Sequence, residues 1–259
     1  MSRNVKTKAF WITALLGTTL LAGCGADPGV MVDNGKAQKD LRLNKGLPGT
    51  QQGVNNDQAV LQALFTDMRQ MRTTLRNVQC DLTGYFVSDK DGSVGSIQTR
   101  FCYELPNKTS LAIKQSSDGS TVGTKMVWSG GQQIAVKTKL LGFWLKTSVD
   151  VHDSRTADHR GYFIDETGIN PMMDTFFDPR NQVTLVGQGN LGSMPVIQVG
   201  IVSPRSLKGV AREVFTIDSQ RKMPVIRELY DRSNRLVHRI RMDNIVMNAT
   251  MPSNAFSLD

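Results

Sequence analysis

Cysteine and histidine are scarce in this chain of 259 residues, with three of each. Three cysteines cannot build a disulfide-dense scaffold, and three histidines leave little for a metal centre. His152 and His159 share a polar loop with Asp153 and Asp158. That is the one arrangement with ligand chemistry, and histidines this far apart in a loop are expected to be solvated rather than metal-bound. His238 follows an apolar residue in an alternating stretch and has no assignable nucleophile. Asp165 and Glu166 are adjacent, so in extended chain they point to opposite sides. No catalytic set is recognisable, and neither enzyme activity, a cofactor nor a metal is expected. Gly187 to Gly192 has the G-x-G-x-x-G spacing, but Met194–Val199 alternates like a strand instead of opening a helix, so a hairpin loop is expected. Long apolar runs are also missing. Beyond the first 23 residues nothing reaches the roughly 20 apolar residues that cross a bilayer. The 31 basic and 23 acidic residues are scattered rather than blocked, which argues against nucleic acid as a partner.

What is present is concentrated first at the N-terminus. Arg3, Lys6 and Lys8 precede an apolar segment, Ala9–Leu20, and the run Leu21-Ala22-Gly23-Cys24 follows. This resembles a bacterial lipoprotein signal, which implies cleavage before Cys24 and acylation of that cysteine, palmitate included. Residues 1–23 would then be a signal peptide, and their loss leaves a net charge near +5, down from +8. Residues 24–55 are rich in Gly, Asn, Asp and Gln without a sustained apolar period, as expected of a flexible tether. Gly25 lacks the aspartate that favours the inner membrane, so a lipid-anchored location at the cell outer membrane, facing the periplasm, is expected.

Residues 56–259 carry the periodicities of one mainly β, α+β domain. Leu61, Leu64, Phe65, Met68, Met71, Leu75 and Val78 recur at helical spacing and predict an amphipathic helix over 57–79. Alternating segments follow. Leu82–Val87 and Gly95–Glu104 flank a turn near Asp91, and a hairpin centred there sets Cys80 opposite Cys102. In an exported compartment that geometry allows a disulfide, the alternative being two buried thiols. Gly130-Gly131 predicts a second hairpin, with Trp128 beside Gln133 and Met126 beside Ala135. A short helix is expected over 168–177. Three neighbouring strands come next (182–187, 196–202, 210–218), and a closing hairpin joins 224–230 to 235–247. Arg239 and Arg241 alternate with Ile240 and Met242, so one face of that last strand is wet and the other dry.

The order of elements, together with Lys125–Gly131, Asp165–Ile169, Phe215–Asp218, Met223–Arg227 and Tyr230-Asp231, resembles the lipoprotein-carrier superfamily of the bacterial envelope, the Lol-type carriers and receptors. The resemblance implies an open, curved antiparallel half-barrel covered by an N-terminal amphipathic helix and a short second helix. It also implies binding of a lipid, or of the acyl chain of another lipoprotein, in a concave cavity, with a role in lipoprotein sorting. Met126, Trp128, Phe143, Trp144, Met172, Met173, Phe176, Phe177 and Met242 are large and many are pliable, so they are the candidates for lining such a cavity; ordinary core packing is the alternative. A second function is a regulatory or scaffold module that binds an envelope protein through Arg227, Arg239 and Arg241 on the sheet surface.

Overall fold

Alternation dominates the chain from residue 77 onward and builds eleven antiparallel strands there, with one more at 41–44 among the described residues. The computed structural model describes residues 41–44, 51–88, 92–158, 160–203 and 209–259; Cys24, His159 and the turn at 89–91 lie outside the described residues. The strands are β1 (Leu41–Asn44), β2 (Asn77–Val87), β3 (Val94–Glu104), β4 (Lys108–Ser116), β5 (Lys125–Trp128) and β6 (Gln133–Leu140). They continue with β7 (Phe143–Asp150), β8 (Gln182–Leu191), β9 (Met194–Val202), β10 (Arg212–Asp218), β11 (Met223–Tyr230) and β12 (Leu236–Met247). All lie in one sheet, ordered β1-β8-β9-β10-β11-β12-β2-β3-β4-β5-β6-β7. The sheet is curved and unclosed, so β1 and β7 are its free edges. Among the described residues two α-helices accompany it, α1 (Gln51–Thr74) and α2 (Ile169–Phe177). Neither helix is long and apolar enough to cross a membrane.

Several expectations shift. The first helix ends at Thr74 rather than 79, because Asn77–Val87 pairs along its whole length with β3. Leu75 and Val78 fit the helical stripe by spacing, yet Val78 starts a period-two run with Cys80 and Leu82 into the core. The segment read as a tether contains β1, paired with Gln188–Leu191, and the start of α1. Gly187–Leu191 lies in β8, and Gly192 turns with φ 61° into β9.

Both hairpin registers differ from expectation by one residue. Cys80 pairs with Phe101 and Cys102 with Gln79, so the two cysteines face opposite sides of the sheet. One step of slip exchanges faces because side chains alternate. Both thiols are free and buried, which corrects the expected disulfide. Likewise Trp128 pairs with Ile134, and Met126 with Val136.

The inner face carries the main core. Val78 and Cys80 of β2, Phe101 and Tyr103 of β3, Val199 and Ile201 of β9, Phe215 and Ile217 of β10, and Met223 of β11 pack against both helices. The outer face of β2–β5 is crossed by the C-terminal segment. There Gln79 Nε2 donates to the Thr250 carbonyl at 3.2 Å and Lys125 Nζ to the Asn254 carbonyl at 2.6 Å. Cys102 belongs to that covered outer face, and burial pushes its thiol above the ordinary value.

Candidate functional site

Register decides which side chains reach the inner face. On α1, Leu64 and Met68 point into it, fully buried; on α2, Ile169, Met172, Met173 and Phe176 meet them from the other side. Phe176 stacks obliquely on Phe215 with ring centroids 4.5 Å apart. The volume beneath the helices is therefore filled by the chain's own side chains. Next to it, Leu82, Leu111, Phe177 and Met242 pack against the same cluster but stay only half-buried. Leu111 also borders a second cluster, in which Ile134, Val136, Val151 and Ile164 are buried and Met126 and Trp128 half-buried. The register aligns Leu82 with Met242, and Leu111 with Met126 and Phe101. Leu82 with Met242, and Leu111 with Met126, are pairs of large, incompletely buried apolar groups on the face that the helices cover, on either side of the fully buried Phe101. Flexible thioethers at Met126 and Met242 let such pairs adapt their shape.

The helices are held over this face by few polar contacts. Arg72 of α1 bonds Asp174 of α2 at 2.6 Å, and Lys222 of the β10–β11 turn bonds Asp67 at 2.9 Å. Exposed pairs of this kind contribute about 0–1 kcal/mol each. The Arg69 guanidinium lies 4.7 Å from the Phe177 ring centre, and Phe65 makes edge contacts with Phe176 and Phe177. Asn248 Nδ2 also donates to the Thr74 carbonyl at the end of α1 at 3.1 Å, and Asn170 Nδ2 of α2 to the Pro106 carbonyl at 3.3 Å; the remaining hold is largely apolar.

At its other end the inner face turns polar. Arg227 Nε donates to Glu213 Oε2 at 2.9 Å, and the guanidinium lies between the rings of Tyr162 and Phe215, 5.4 and 5.6 Å from their centres. Burial pushes the Tyr162 hydroxyl above its ordinary value, with Arg227 opposing. His238 is buried on the same face, its ring 6.5 Å from that of Tyr162. Arg227 pairs across the strands with Ile240, not with Arg239. The proposed surface of three arginines is thus divided. Arg227 is inside, Arg239 is buried on the outer face against Glu228 at 2.6 Å, and Arg241 bonds Asp243 at 2.9 Å. Glu213 and Glu228 were the missed partners. Glu228 lies directly opposite Arg239, whereas Glu213 reaches Arg227 diagonally, being opposite Leu229; both positions let opposite charges on paired strands neutralise one another.

The nine cavity candidates separate into three places. Met172, Met173 and Phe176 are packed core, and Phe177 and Met242 sit at its margin. Met126 and Trp128 border the second cluster, with Trp128 Nε1 donating to the Gly131 carbonyl at 2.9 Å. Phe143 and Trp144 are not on the covered face at all: they lie at the tip of the β6–β7 hairpin, 79% and 51% exposed. His152 bonds Asp165 at 3.0 Å, and among the described residues no three His, Cys, Asp or Glu converge as metal ligands.

No known family and no curated protein matches the chain. Solved structures do. The chain is similar to a LolA superfamily protein from Nitrosomonas europaea (9% identity, 76% of this chain and 97% of that one, TM-score 0.34). It is similar to the Mycobacterium tuberculosis lipoprotein LppX (12% identity, 75% and 98%, TM-score 0.41). It is also similar to the MucA/MucB complex structure from Pseudomonas aeruginosa (12% identity, 74% and 60%, TM-score 0.36).

Proposed function

We propose that this chain is a membrane-tethered protein of the bacterial envelope that shelters a lipid or the acyl chain of a lipoprotein against the covered face of its sheet. One observation carries the reading. Leu82, Leu111, Met126 and Met242 stay half-buried beside two helices whose ion pairs, Arg72–Asp174 and Lys222–Asp67, are at least partly solvent-exposed. An acyl chain entering there removes apolar area from water, at about 0.8 kcal/mol per buried methylene. Displacing α1 breaks Arg72–Asp174 and Lys222–Asp67, both readily re-solvated. The tether at Cys24 would hold the loaded domain near its donor or acceptor membrane.

The test is extraction of the purified full chain with organic solvent, followed by mass spectrometry. Near-stoichiometric lipid is expected, and Leu82→Trp, which adds bulk opposite Met242, should lower it by at least an order of magnitude with the circular dichroism spectrum unchanged. Lipid-free wild-type protein, or an equal lipid content in Leu82→Trp, would refute the reading. Capture of an envelope protein by a photocrosslinker at Arg241, on the outer sheet face, with no lipid bound, would favour the regulatory alternative.

A further inference from the structure

The β6–β7 hairpin carries an apolar group that the core does not use. Leu141, Phe143, Trp144 and Leu145 are 78%, 79%, 51% and 39% exposed. They cluster at one tip, because Leu140 pairs with Phe143 and Leu141-Gly142 forms the turn. By register Leu140, Phe143 and Leu145 lie on one face of the ribbon, whereas Trp144 lies on the other. A protein partner docking on one face would leave the opposite apolar face in water. A bilayer interface surrounds the tip and buries both.

Charge behind the tip points the same way. Lys125, Lys137 and Lys146 stand directly opposite one another on β5, β6 and β7, on Trp144's face, and Lys139 pairs with Trp144. Like charges in register destabilise a sheet, so this row is poised for an anion. Within the chain it meets only partial compensation. Lys125 Nζ donates to the Asn254 carbonyl at 2.6 Å, Lys146 bonds the Asp259 side chain, and Lys137 Nζ lies 5.4 Å from the Trp144 ring centre. Lysine 146 follows Phe143 by three residues, which at the usual strand rise puts the row roughly 10 Å behind the tip. That is the depth at which an interfacial apolar element sits below the headgroups, about 5–10 Å. Trp144 is itself seated: a side chain at Gly123 would come within 2.5 Å of its indole. The tip thus stands at an edge strand of the sheet among the described residues, with Trp144 seated on Gly123.

We propose that the β6–β7 tip is a membrane-docking element, with Leu141, Phe143 and Trp144 entering the interface of an anionic bilayer while Lys137, Lys139 and Lys146 meet its phosphates. It would orient the sheet on the membrane independently of any N-terminal acyl group and of any ligand under the helices.

The experiment mixes the full chain with vesicles of phosphatidylglycerol whose acyl chains are brominated, and reads tryptophan quenching. Quenching is expected in the wild type, and the part due to the tip should vanish in Trp144→Phe. Leu141→Asp with Phe143→Asp should abolish that part too, with unchanged urea unfolding because both residues are exposed. Charge reversal of Lys137, Lys139 and Lys146 should weaken it by roughly fivefold per lysine near the surface. Equal quenching in wild type and Trp144→Phe would overturn the proposal. So would equal quenching in neutral phosphatidylcholine vesicles, or a photocrosslinker at Phe143 that captures protein and no lipid in cells.

Discussion

Two short apolar segments of this chain look alike and end in opposite surroundings. Met172, Met173, Phe176 and Phe177 of α2 are buried or nearly so against Phe215 and α1; Leu141, Phe143, Trp144 and Leu145 of the β6–β7 hairpin stand in solvent. Composition does not separate them. Topology does: α2 follows the 151–167 loop back onto the inner face, over strands that the chain has still to make, whereas β7 ends the sheet and its tip extends beyond any covering element. Large apolar groups therefore serve stability in one place and are free for a partner in the other.

That contrast can be broken by truncation. Phe215→Ala, at the contact with Phe176, should cost about 3–5 kcal/mol, as aromatic deletions in a packed core do. Phe143→Ala should change stability by no more than about 0.5 kcal/mol, as exposed substitutions do. Urea unfolding of both variants decides it, and similar losses would erase the distinction.

A smaller effect is expected where the inner face turns polar. Glu213→Gln leaves the Arg227 guanidinium between two rings with no carboxylate, a loss of about 3 kcal/mol for a pair this deeply enclosed. Glu213 and Arg227 replaced together by Gln and Met should recover part of it. If Glu213→Gln proves neutral, water reaches this end of the face, and the packed region is smaller than its contacts imply.

The smallest signal is protonation. Burial pushes the Cys80 thiol from its ordinary 9.0 up to about 12. A folded-state value above the unfolded one means its stabilisation is complete below pH 9 and is lost as pH rises towards 12. Native protein should resist iodoacetamide at Cys80 and Cys102 at pH 8, and both should alkylate on unfolding. Rapid modification of Cys80 in the folded state would show that the helix-covered face opens readily.

Much of the architecture was legible from spacing. The alternation of Val196–Val202, Val210–Asp218 and Pro224–Tyr230 places neighbouring strands, and Met172 to Phe177 marks the second helix. Register was not legible. The turn between β2 and β3 can close in two ways that differ by one residue, and only the strand pairing of Val78 with Tyr103 selects between them. The choice separates Cys80 from Cys102. Arg227 shows the same limit: alternation within β11 sets it apart from Glu228, but which of the two is inside depends on the pairing with Ile240.

Residue order alone determined that this chain alternates into a one-sided sheet with two apolar helices, since periods of two and 3.6 are properties of the backbone. The tertiary structure decided which apolar groups that sheet consumes and which it leaves outside. Burial depends on what arrives opposite a side chain, and for Phe143, 79% exposed at the tip of an edge hairpin, little in the described chain does.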